Sequence, residues 1–109
     1  MTSFTDEPAL DDIVTRLVRT IDPDRIVLFG SRARGEATVD SDFDLLIVKP
    51  SDEAPHRRIV AAYRAVSGLG VPTDMLWRTP EEIADWADVP HYVTTRAIRE
   101  GRVLYERPS

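Results

Sequence analysis

Three aspartates fall on alternate residues, Asp40, Asp42 and Asp44, just ahead of the apolar run Leu45-Leu46-Ile47-Val48. Side chains alternate across a strand, so Asp42 and Asp44, separated by Phe43, are expected to project from one face. Two carboxylates held that close repel unless a cation lies between them or one takes up a proton. Hard oxygen ligands at the end of a buried strand suit Mg²⁺, which commonly completes its shell with substrate phosphates. Either aspartate alone reads better as a turn or cap residue; the pair at strand spacing favours chemistry. A third acid, Asp74, interrupts the apolar run "VPTDMLW". If that strand lies beside the one carrying Asp42 and Asp44, three carboxylates converge and two metal ions become possible. Taken alone, Asp74 reads equally well as an edge-strand residue facing water.

Upstream of these acids lies "GSRARG", Gly30 to Gly35, after the apolar run "RIVLF". A turn between a strand and a short helix is where backbone N–H groups converge on an anion. Gly30 permits close approach, and Ser31 adds a hydroxyl. The loop is neither of the common phosphate fingerprints. A Walker A loop needs Lys-Ser/Thr after its second glycine, and Glu36-Ala37 follow Gly35; a Rossmann turn needs glycine where Arg32 stands. Arg32 and Arg34 could reach phosphate oxygens or a partner protein, or be solvated arginines on a short helix.

These groups need a scaffold, and apolar periodicity supplies one. Leu10, Ile13, Val14, Leu17, Val18 and Ile21 recur at helical spacing. The helix opens at Pro8 with Thr5 and Asp6 as possible caps, runs to about Thr20, and is broken by Asp22-Pro23-Asp24. "RIVLFG" and "FDLLIVK" read as buried strands. A helix with Ile59, Val60, Tyr63 and Val66 on one face ends at Gly68 and Gly70. "VPTDMLW" is a third strand, with Pro72 marking a strand end or sheet edge. "TPEEIADWAD" opens with a cap, a proline and two glutamates and starts another helix. "PHYVTTRAIREG" makes a last helix, and "RVLYE" a final strand or extended tail. The order α, β, short α, β, α, β, α, α, β describes an α/β domain with helices covering a small sheet.

At 109 residues the chain is one expected domain, 1–109, large enough for a single core. An apolar fraction of 42% and a charged fraction of 30% suit a globular protein. Cysteine is absent, which removes disulfides and thiolate metal sites. No apolar run approaches the ~20 residues of a membrane span. The acidic N-terminus does not resemble a secretory signal, so the expected location is cytoplasmic. A net charge of −5 argues against a large nucleic-acid footprint, so no direct nucleic-acid contact is expected. Lys49 is the sole lysine.

Together, Phe29-Gly30-Ser31, a ten-residue spacer from Arg32 to Ser41, and Asp42-Phe43-Asp44-Leu45 resemble the signature of the DNA polymerase β-like nucleotidyltransferase superfamily. The alternative register through Asp40 places Ser41 where an apolar residue belongs, so Asp40 is expected not to be a ligand. Asp74 matches the family's third acid, though Thr73 precedes it where an apolar residue is usual. Within the superfamily the chain is similar to the minimal nucleotidyltransferases, to which "GSRARGEATVDSDFDLLIV" and "AIREGRVLYE" are both typical. The resemblance implies a polymerase β-like catalytic fold, a small mixed β-sheet covered by helices. It implies Asp42, Asp44 and Asp74 as catalytic, metal-binding acids for two Mg²⁺ ions. Gly30 and Ser31 would bind the phosphates of ATP, with Arg32 and Arg34 as secondary contacts. Many such proteins are antitoxins encoded beside a HEPN-family RNase toxin, which implies AMP transfer from ATP to a tyrosine of that partner.

Two other functions stay open: an antitoxin that neutralises its partner by contact alone, and a nucleotidyltransferase with a small-molecule or RNA acceptor. The shortness of the chain favours an acceptor carried on a docking protein. Arg57 and Arg58 are expected at the surface, His56 and His91 as structural or solvated, and Trp77 and Trp86 as core or interface aromatics.

Overall fold

The computed structural model describes residues 4–33, 35, 42–89 and 93–108. Arg34, Asp40 and His91 lie outside them. The elements are α1 (Pro8–Ile21), β1 (Arg25–Phe29), α2 (Gly30–Ala33), β2 (Phe43–Val48), α3 (Pro55–Ala65), β3 (Thr73–Arg78), α4 (Pro80–Asp85), α5 (Val93–Glu100) and β4 (Arg102–Glu106). This is the order expected from the sequence.

The strands form one mixed sheet in the order β3-β2-β1-β4. β1 is antiparallel to both β2 and β4, while β2 and β3 run parallel across the α3 crossover. Apolar side chains leave both faces of the sheet. Ile26, Leu28, Phe43, Leu45, Ile47, Met75 and Trp77 meet the buried stripe of α1 (Leu10, Ile13, Val14, Leu17 and Ile21) and Ala62 and Ala65 of α3. On the other face Val27, Leu46 and Val48 meet Ala97 of α5, with Phe29, Leu76, Ile83 and Ile98 around them. The fold is thus three-layered, with α1 and α3 on one side and α4 and α5 on the other. Among the described residues no helix is long and apolar enough to cross a membrane.

Local signals account for most boundaries. Pro8 opens α1 at a position that needs no amide bond, but its cap position falls on Glu7 rather than Thr5 or Asp6, with no side-chain cap. Its end is sealed differently. Asp22 turns left-handed (φ 53°), and Lys49 donates through Nζ to the carbonyls of Ile21 and Asp22. The sole lysine therefore serves as a C-terminal cap. α4 starts on a full capping box, with Glu82 N–H donating to Thr79 Oγ1 (3.1 Å) and Thr79 N–H to Glu82 Oε1 (2.8 Å). Gly101, after α5, lies so close to β1 that a Cβ would stand 2.5 Å from Val27 Cγ1 and 2.8 Å from Leu28 O.

α3 departs from expectation. Val60 and Tyr63 are exposed (44% and 40%), and the buried positions are Arg58, Ala62 and Ala65. Small residues let this helix approach the sheet closely, and the larger side chains flank the contact. Arg58, expected at the surface, is only 3% exposed. Its guanidinium donates to Trp77 O (3.1 Å) and to the Glu82 carboxylate, tying α3 to β3 and α4. Trp77 is a core residue that donates from Nε1 to Lys49 O (3.0 Å), whereas Trp86 is 47% exposed. His56 is exposed in the first turn of α3.

Burial alone would raise the Glu82 pKa. The Thr79 N–H, the Arg58 hydrogen bond and charge, and the Arg78 charge outweigh it and hold it below its usual 4.5. A carboxyl lowered in the folded state contributes stability in full above its unfolded value, and loses it as pH falls through the folded one. Glu82→Gln should therefore lower Tm near neutral pH. The gap to wild type should narrow only below about pH 4.5, as thermal melts across pH 3–7 would show.

Candidate active site

The parallel register sets the site. Asp44 of β2 pairs with Asp74 of β3, and on its other side Asp44 faces Phe29 of β1. Residues in register on adjacent strands point to the same face and stand about 4.8 Å apart. Phe43 and Met75 belong to the α1/α3 core, so Asp44 and Asp74 emerge on the α4/α5 side. There they line a cleft of about 270 Å³ with Phe29, Met75, Leu76 and Val93. Asp44 is half-buried and Asp74 exposed, as suits an acid on an edge strand.

Gly30 completes the contact. It follows β1 directly, has a φ of +72°, and begins the four-residue helix α2. A Cβ placed on it would lie 2.3 Å from Asp44 Oδ2. Glycine is required twice over here, by the left-handed backbone and by the carboxylate lying against its α-carbon. Ser31, the next residue, is half-buried. The turn and Asp44, far apart in sequence, are thereby in van der Waals contact.

The remaining expected site residues sit differently. β2 begins at Phe43, so Asp42 precedes the strand and is exposed. Alternation does not carry past a strand's end. Among the described residues no group of three or more His, Cys, Asp or Glu is gathered as a metal site. The register pair is Asp44 with Asp74. Arg32 lies with its guanidinium carbon 4.1 Å from the centre of the Phe43 ring and its Nη1 3.7 Å from Glu7 Oε2. A larger hollow of about 470 Å³ lies at the far end of the same sheet face. Its arginines are committed to Arg25–Glu106 and Arg107–Asp24 pairs, so the smaller cleft with facing acids is the better candidate.

The mixed sheet with helices on both faces matches a nucleotidyltransferase fold. A solved structure from Sulfolobus solfataricus, provisionally described as a nucleotidyltransferase, superposes with a TM-score of 0.58 at 17% identity. The match covers 94% of this chain and 91% of that one. No curated protein matches the chain in sequence. The family described as "Nucleotidyltransferase domain" matches residues 10–103. The chain belongs to that family, within the polymerase β-like superfamily.

Two expectations follow from the geometry. Gly30→Ala should destabilise the fold by about 1–2 kcal/mol from left-handed strain alone, with more from the overlap with Asp44, measured by urea unfolding. Asp74→Asn relieves a like-charge cross-strand pair worth roughly 0.5 kcal/mol. In chelator it should raise Tm by about 2–4 °C. Any rise in wild-type Tm with millimolar Mg²⁺ should be weakened in the variant.

Proposed function

We propose that this chain transfers AMP from ATP to a hydroxyl, a tyrosine of a HEPN-family RNase toxin, and thereby acts as its antitoxin. The observation that carries the transfer is the in-register Asp44–Asp74 pair, with Asp44 lying against the Gly30 turn. Hard carboxylate oxygens on neighbouring strands fit Mg²⁺, which needs one or two protein carboxylates and takes other ligands from phosphate and water. Asp44 and Asp74 would hold it, and the exposed Asp42, one residue before β2, would join them for a second ion. The metal would neutralise the triphosphate and orient its α-phosphorus.

The chain's own residues divide the rest of the work. The backbone at Gly30 and Ser31, with the Ser31 hydroxyl, holds the terminal phosphates. Asp74, on the exposed edge strand, accepts the proton of the incoming hydroxyl. The hydroxyl oxygen attacks phosphorus in line and pyrophosphate leaves toward the Gly30 turn. Catalysis of this kind is largely positioning and charge stabilisation. Support for a protein acceptor comes from the exposure of Asp74 on the edge strand beside the cleft. The sequence resemblance supports the HEPN partner and the antitoxin role.

Incubation of the chain and the product of a neighbouring HEPN-type gene with α-³²P-ATP and Mg²⁺ should label the partner. Asp42→Asn/Asp44→Asn should reduce labelling at least 100-fold, on the scale of removing a transition-state electrostatic contact. An unlabelled partner that is still bound and neutralised would overturn the catalytic reading in favour of neutralisation by contact.

A further inference from the structure

We infer that Arg32 is a positioning residue: stacked on Phe43, it holds the Gly30–Ser31 turn against Asp44 from the opposite side of the sheet. α2 has only four residues and buries none of them. A helix that short has no stability of its own, so its place must be set by contacts. Ala33 packs against the α1/α3 core, and two side-chain contacts reach the start of β2 from opposite faces. Gly30 meets the Asp44 carboxylate on the α4/α5 side, where a Cβ would come within 2.3 Å of Oδ2. Arg32 covers the Phe43 ring on the α1/α3 side at 4.1 Å.

Phe43 and Asp44 are consecutive, so their side chains leave opposite faces of the strand. Phe43 is 5% exposed within the α1/α3 core, and Asp44 lines the cleft on the other side. The Arg32 side chain is 18% exposed and also meets Glu7, the residue that caps α1, at 3.7 Å. An arginine planar over an aromatic ring is attracted electrostatically, more so when water is largely excluded. In this position the guanidinium grips the strand end that Asp44 extends from. Gripping β2 from both sides fixes α2 in the direction that matters, the separation of turn and carboxylate. Lysine would be a poor substitute, because it lacks the planar group that stacks.

A double-mutant cycle separates positioning from direct contact with phosphate. The part of the test that uses nucleotide rests on the proposed function; the part that uses amide shifts does not. Arg32→Met keeps the stem, Phe43→Leu keeps an apolar core, and Phe43→Met replaces it should the leucine variant fail to fold. Binding of α,β-methylene-ATP with Mg²⁺ is measured by calorimetry, and the Gly30 and Ser31 amide signals are followed by NMR without ligand. Each single variant should weaken binding about tenfold and move both amide signals, and the double variant should do little more. Phe43→Tyr, which keeps the ring, should behave as wild type.

Arg32→Met acting equally in both backgrounds, with the Gly30 and Ser31 signals in place, would make Arg32 a direct ligand and overturn the inference. Unmoved signals in the single variants would overturn it too. If wild type binds no nucleotide, the proposed function fails and the amide signals alone decide the role of Arg32.

Discussion

The parallel pairing of β2 with β3 is the constraint on which the rest of the site depends. Its register sets Asp44 beside Asp74, and a slip of one residue would turn one of them into the α1/α3 core. That register is held by burial. Leu45 and Ile47 must meet Met75 and Trp77 under α1 and α3, while Leu46 and Val48 must face α4 and α5. A like-charge cross-strand pair is unfavourable, and the apolar pairs on either side of it outweigh the cost. Acid is thus forced into proximity by a core that has no other way to close.

The element order was legible because each signal was local. Helical spacing marked α1, Thr79 and Glu82 three residues apart marked the start of α4, and Pro72 marked an edge. The resemblance carried by Gly30-Ser31 and the Asp42-Phe43-Asp44 run agreed with the family to which the chain belongs. What the sequence hid was set by distant neighbours. Arg58 looks like any surface arginine of an amphipathic helix until Trp77 O and Glu82, 19 and 24 residues away, are brought to it. The face of α3 is only half legible: Ile59 and Val66 do pack against the core, but its buried centre is alanine, weak in any hydrophobic count. The Arg32–Phe43 contact had no local pattern at all. Asp42 precedes β2, so strand alternation alone does not fix its direction relative to Asp44.

Electrostatics connect these hidden contacts to the fold. Arg58 carries a charge into a nearly dry position, and a buried charge is tolerated only when paired and hydrogen-bonded. Glu82 supplies the pairing while completing the capping box of α4, so one carboxylate serves a helix end and a buried cation together. The arrangement ties α3, β3 and α4, the three elements next to the edge that carries Asp74. Lys49 performs the equivalent task at the end of α1, donating to the carbonyls of Ile21 and Asp22, the second of which also accepts from Arg107.

An edge strand with an exposed acid raises a second problem, since open edges invite pairing with other chains. Here α3 closes that edge without covering the acid. The Tyr63 hydroxyl accepts the Met75 N–H (3.1 Å), and Arg58 and Arg78 donate to Trp77 O (3.1 Å each). The Met75 N–H beside Asp74 and the Trp77 carbonyl further along are thereby occupied by side chains of the same chain. What remains available is the carboxylate, on the opposite face and open to solvent. The edge therefore leaves a carboxylate open beside the cleft while part of its backbone is already engaged within the chain.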